Sequence, residues 1–233
     1  MDGRRIDRSN IISGFSGTFS PSFETIMNKF FVSLAISLIG MVVGFLVLPK
    51  FPALYPVAVG AELIMIVSTL FLRSRVKIGF PFVYAYTFLS GMTLFPAIAY
   101  YVQVIGVPLV ATAVGITTLG FGVLAFYGYT TKKDLSFMRS MLIIGLIALV
   151  GFGLVGLFVP SINMGLTGML IAIGGVLVFS GFTVLDMNLY AKNIYTEQDL
   201  AWCVLAIYLD YINLLLYVLR ILAIFSGNGG RRR

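Results

Sequence analysis

The sequence predicts an all-α polytopic membrane protein of seven transmembrane helices, with the seventh at the centre. Three observations carry that prediction. The 233 residues are 59% hydrophobic and only 11% charged, against about 25% charged in soluble domains. The apolar residues fall in seven runs, each long enough for a hydrocarbon core about 30 Å thick. No run shows the strict alternation of an outer-membrane strand.

The runs are Phe30–Leu48, Leu54–Leu72, Ile78–Val102, Val104–Tyr129, Met141–Val159, Met164–Leu185 and Ala201–Phe225. Residues 1–29 read as a mobile polar tail, 30–226 as the membrane domain and 227–233 as a short basic tail. Phe30–Leu48 is too long for the apolar core of a signal peptide and is expected to remain as a span. Short connections follow: "PKFP" at Pro49–Pro52, "RSRVK" at Arg73–Lys77, "TTKKD" at Thr130–Asp134 and "PSIN" at Pro160–Asn163. Pro81, Pro96 and Pro108 cap or kink the helices that hold them. Most of the 25 glycines are expected to serve close helix packing.

Lysine and arginine set the orientation. Four lie in the N-terminal tail, three in Arg73–Lys77, and three more are Lys132, Lys133 and Arg139. The alternate connections hold only Lys50. The N-terminus is therefore expected in the cytoplasm of a plasma-membrane protein. The "GGRRR" terminus then emerges outside if the seventh run crosses, or inside if that run is re-entrant; the alternation over six runs favours crossing.

The net charge of +7 belongs to this orienting pattern and implies no nucleic acid. With no histidine and one cysteine, Cys203, the chain has no histidine-ligated metal, no Ser-His or Cys-His nucleophile and no internal disulfide. Neither an enzymatic activity nor a resident cofactor is expected. Any pH sensing falls to carboxylates.

Charge inside the spans is costly, about 2.5–3.5 kcal/mol per residue on insertion scales, and marks function or pairing. Glu62, Asp186, Asp210 and Arg220 are such residues, and Arg73 ends the second run. Glu62 and Arg73 share a stripe but stand about 16 Å apart, so each needs another partner. In the seventh run Cys203, Ala206, Asp210, Asn213, Tyr217 and Arg220 follow 3-4-3-4-3 spacing. That stripe of small and polar residues suits a helix surrounded by helices. Asp186 and Asp210 lie toward the same side, within reach of each other and of Arg73. Two carboxylates in one low-dielectric site cannot both ionise cheaply and hold one proton between them. When the proton leaves, a cation or a helix movement relieves the repulsion. Calcium suits such oxygens, with Asn188 and Asn213 as further amide ligands. The competing reading is a static polar clamp in which Asn213, Tyr217 and Arg220 hold Asp210.

Other intramembrane chemistries lack their residues. The contexts "VLDMN" and "YLDYI" match neither aspartate motif of presenilin-type proteases. The last run has no retinal-binding lysine, and a rhomboid-type hydrolase needs histidine.

"TTKKDLSFMRSML" (Thr130–Leu142), "LDMN" (Leu185–Asn188) and "LAIYLDYINLLLYVLRIL" (Leu205–Leu222) resemble the Bax inhibitor-1 family. "VYAYTFLSGMTLFP" (Val83–Pro96) is similar to its bacterial YetJ-like branch. The resemblance implies a last helix wrapped by six others and a pH-sensitive calcium leak across the bilayer. It implies a proton-sharing sensor at Asp186 and Asp210, a latch at Arg73, and calcium contacts at Glu62 with the two aspartates. The ions are then calcium and protons, and no protein partner is named. Eukaryotic members are linked to protection from cell death, which nothing in these residues addresses. The short basic tail departs from the charged cytosolic tails of those members. A non-conducting membrane regulator and a proton-coupled transporter are the competing functions.

Overall fold

A computed structural model describes residues 21–72, 78–163, 165–193 and 196–229. Among them are six α-helices and one 3-10 turn: α1 (Phe23–Val47), α2 (Leu54–Leu72), α3 (Phe80–Thr130), α4 (Met138–Phe158), the turn Pro160–Asn163, α5 (Gly165–Asn193) and α6 (Glu197–Gly229). The count differs from the seven expected. The expected third and fourth helices are one element, α3, interrupted at Gly106.

The interruption follows from local chemistry. Gly106 adopts φ +81°, a region that costs a residue with a Cβ about 1–2 kcal/mol. Pro108, two residues on, lacks an N–H and disfavours the helical region at Val107. Pro81 sits in the first turn of α3, where its missing donor costs nothing.

Chain direction reverses at Gly106. Before it, Gly40 and Gly44 of α1 abut Phe88 and Met92, so numbers rise together. After it, Phe30 stacks on Phe121 (4.8 Å between ring centroids) and Phe23 meets Phe126 (5.7 Å), so numbers run oppositely. A straight helix of 51 residues would be about 75 Å long.

α1 begins at Phe23, inside the segment expected to be a tail. Ser22 caps it by accepting the Thr25 N–H at 3.2 Å, and Glu24 in the first turn suits the positive helix end. Ile26 is fully buried and Phe30 nearly so, so the helix is held by its apolar face.

α6 is the most deeply buried helix. Cys203, Val204, Ile207, Tyr208 and Leu219 are fully buried, and α1, α3 and α5 pack around it. α2 packs chiefly on α3, and α4 on α5, so the last helix is not wrapped evenly by all the others. Leu38, Ile39, Val42 and Phe45 of α1 and Met141, Ile144 and Ile147 of α4 are exposed on the outside. An uncovered apolar belt of this extent suits lipid, not water.

Lys29, lying over the Phe80 ring at 4.6 Å, marks one end of the bundle. The Phe23–Tyr129 ring contact (5.3 Å) puts the end of α3 there too, followed by Lys132, Lys133 and Arg139. Lys192 joins them through its 2.8 Å bond to the Lys133 carbonyl.

Candidate functional site

α5 runs on to Asn193 and α6 starts at Glu197, so both helices extend past the apolar runs. Asp186 therefore does not end its helix but projects from it two turns before the close. Asp210 is thirteen residues into α6, about 20 Å along the helix at 1.5 Å per residue.

The two aspartates lie within electrostatic reach of each other. Asp186, half-buried on α5, is the charged group that acts on Asp210. Both act on Cys203, one face-repeat before Asp210 on α6. Asp210 is 5% exposed, and its Oδ2 has no hydrogen-bond partner among the described residues. Such an oxygen normally costs about 1–3 kcal/mol or more, which distinguishes it from a satisfied structural carboxyl.

The residues expected to support Asp210 do other work. Asn213 donates to the Leu209 carbonyl of its own helix at 2.8 Å. Tyr217 stacks on Phe179 (5.9 Å), over the small floor of Gly175. Arg220 acts on Tyr101 and Tyr217, ten residues and about 15 Å beyond Asp210. Among the described residues no donor from Asn213, Tyr217 or Arg220 bonds the Oδ2 of Asp210. Arg73 lies outside the described residues.

Asn188, expected as a ligand beside the aspartates, is a fully buried staple. Its Nδ2 donates to the carbonyls of Gly128 (3.3 Å), Thr131 (3.1 Å) and Lys133 (3.2 Å). Its Oδ1 accepts the Leu135 N–H (3.4 Å) and the Lys192 ammonium (3.2 Å). The carbonyls at the end of α3 are among the last of a helix, which have no partner within it. Asn188 satisfies them and ties the 131–137 connection to α5. Its oxygen and nitrogen are thus committed two residues from Asp186.

Glu62 forms a separate centre. Its Oε1 accepts from the Tyr86 hydroxyl (3.1 Å) and its Oε2 from Thr93 (2.6 Å), fastening α2 to α3. The Tyr86 ring meets Tyr208 edge-on at 6.3 Å, and the Tyr208 hydroxyl donates to Ser37 at 2.8 Å. Hydroxyl and ring contacts therefore lead from α2 through α3 to α6 and α1, two residues from Asp210. Among the described residues no three His, Cys, Asp or Glu side chains form a metal-binding group. Tyr86, Thr93, Tyr208 and Ser37 were missed from sequence. The spacing of Tyr86 and Thr93, two turns apart on one face, was the available signal.

Thr93→Val removes the shortest bond to Glu62. We expect a loss of about 1 kcal/mol, between the ~0.6 kcal/mol average of membrane hydrogen bonds and the roughly 1.5–3 kcal/mol of bonds to charged groups. Unfolding in detergent measures it; an unchanged transition would show that Glu62 is not held by this bond.

The family model described as "Inhibitor of apoptosis-promoting Bax1" matches residues 23–227, from the start of α1 almost to the end of α6. The chain belongs to the Bax inhibitor family. Among its relatives, a Helicobacter pylori (strain J99) protein is 31% identical over 207 residues, spanning 88% of this chain and 87% of the relative. An uncharacterized membrane protein of Streptococcus pyogenes serotype M1 is 30% identical over 220 residues, 84% of this chain and 92% of its own. A Vibrio cholerae counterpart, likewise described as a membrane protein, is 34% identical over 151 residues, 64% of this chain and 66% of its own. Family and apolar helices agree on an integral membrane protein.

Proposed function

We propose that this Bax inhibitor family member is a passive, pH-sensitive calcium leak, gated by Asp186 and Asp210. The observation that carries the proposal is the buried Oδ2 of Asp210, without a hydrogen-bond partner among the described residues and within electrostatic reach of Asp186 on the neighbouring helix. A proton shared by the pair keeps the site closed. As pH rises the proton leaves, two negative charges face each other, and either calcium enters or α6 shifts against α5. The two arms of α3, before and after Gly106, each cross the bilayer, which makes seven crossings with the N-terminus in the cytoplasm. The gathering of Lys29, Lys132, Lys133, Arg139 and Lys192 at one end supports that orientation. Arg73 closes the pair from the cytoplasmic side, and Glu62 contributes to the path.

One observation favours a second reading for Glu62: both its oxygens accept hydroxyl bonds, as a helix-joining residue would. In a non-conducting regulator the aspartates would serve the same purpose. In a proton-coupled transporter they would carry protons with a solute. Calcium entry into liposomes holding purified protein separates these. A leak runs only down the calcium gradient and grows with pH. Calcium accumulating uphill under a proton gradient indicates transport, and silence at every pH indicates the regulator.

A further inference from the structure

At the basic end, α3, the 131–137 connection, α4 and α5 leave a lateral cleft of about 320 Å³. That volume is at the lower end of the roughly 300–1,000 Å³ of small-molecule sites. Its walls are apolar: Leu124 and Tyr127 of α3, Leu135, Met138, and Gly181 and Val184 of α5. Leu135 is tucked inward against Leu142, Val184 and Leu185, anchored by its N–H bond to Asn188. Phe137, two residues on, is turned fully outward at 77% exposure. Lys132, Lys133 and Arg139 flank the lining residues Leu135 and Met138 in the chain, Lys192 is bonded to the same stretch, and all four are exposed. Lys192 and Lys133 are held together by the 2.8 Å bond between the former's ammonium and the latter's carbonyl.

Asp134 is the acid within the same connection. Asp134 accepts the hydroxyl and the N–H of Ser136, and chiefly the hydroxyl bond holds its carboxyl below the usual range, so it is ionised at neutral pH. Within the 131–139 stretch, Lys132, Lys133 and Arg139 outnumber Asp134.

We propose that this cleft is a binding site for an anionic membrane phospholipid, with an acyl chain lying in the apolar groove and the phosphate met by Lys132, Lys133, Lys192 and Arg139. Charge complementarity identifies the headgroup, because basic side chains at a bilayer surface attract anionic lipid. The apolar walls, continued by the exposed Val123, Phe126 and Met141, identify the chain. A soluble anion would use the lysines and leave the cleft unused. Because Asn188 ties the same connection to α5 beside Asp186, lipid at this site bears on the helix that holds the aspartate. The site itself stands whether or not the protein conducts ions.

The test titrates purified full-length protein, in uncharged detergent, with phosphatidylglycerol or with phosphatidylcholine of the same acyl chains. Native mass spectrometry counts the lipid retained. The wild type is expected to prefer phosphatidylglycerol on the order of tenfold or more. Lys132→Gln/Lys133→Gln brings the two lipids toward parity, and Ser180→Phe, which fills the cleft, lowers retention of both. The two lysines are exposed, so that variant keeps its fold, with an unchanged melting temperature as the check. Equal retention of both lipids by the wild type, or a full preference in the double-lysine variant, overturns the site. So does displacement of phosphatidylglycerol by inorganic phosphate at equal concentration, which marks a surface anion patch.

Discussion

Gly91→Ala destabilises the bundle by roughly 3 kcal/mol, the cost of overpacking a site that cannot give way. The added methyl would fall on the backbone carbonyl of Ser37. Gly40 makes the reciprocal approach to the Phe88 carbonyl. These two glycines let α1 and the first arm of α3 touch backbone to backbone. Backbone cannot rotate aside as a side chain can, so the helices must separate along the interface. That separation also strains the Tyr208–Ser37 bond. Gly120→Ala is the control, because its Cβ meets open space. There the change is neutral or stabilises by up to about 1 kcal/mol through helix propensity. Unfolding transitions of the two variants in detergent are expected to move in opposite directions. A wild-type transition for Gly91→Ala would contradict the close α1–α3 approach.

The second large effect is expected at Asn188. Asn188→Ala leaves the carbonyls of Gly128, Thr131 and Lys133 without that amide, and Leu135 without its acceptor. Each unsatisfied buried group costs about 1–3 kcal/mol, so a total near 3 kcal/mol is reasonable after water reaches the outer ones. Asn188→Asp is no better, since it turns a donor into an oxygen facing three oxygens. Trypsin reports the local consequence: Lys132 and Lys133 lie within the released segment and are cut faster in both variants. Cleavage at the wild-type rate would show that Asn188 does not hold this connection.

Much of this was legible in the residues. The apolar runs locate the helices, and the 3-4 stripe through Cys203 and Asp210 correctly puts both on a buried face of the last helix. Other features were not legible, for physical reasons. A polar residue such as Gln103 looks like the boundary between two runs, yet the chain turns at Gly106, where a positive φ and a following proline coincide. Helix ends were set too short because charged residues such as Lys192 and Glu197 continue a helix once it leaves the apolar layer. Periodicity assigns Asn188 to a face but not to a partner. The carbonyls it serves belong to a helix end nearly sixty residues earlier. Glu62 was read for its charge, whereas the hydroxyls that hold it lie on another helix and carry no sequence mark of their own.

The central claim is that Asp210, whose Oδ2 has no hydrogen-bond partner among the described residues, is the sensor of a calcium leak. Calcium entry into liposomes bearing wild type or Asp210→Asn, followed from acid through neutral to mildly alkaline pH, tests it most directly. An amide keeps the shape and removes the titrating charge. The expected result is a wild-type flux that rises with pH and an Asp210→Asn flux that has lost that dependence. Identical pH profiles for the two proteins, or silence in both with only a lower melting temperature for the variant, would contradict it.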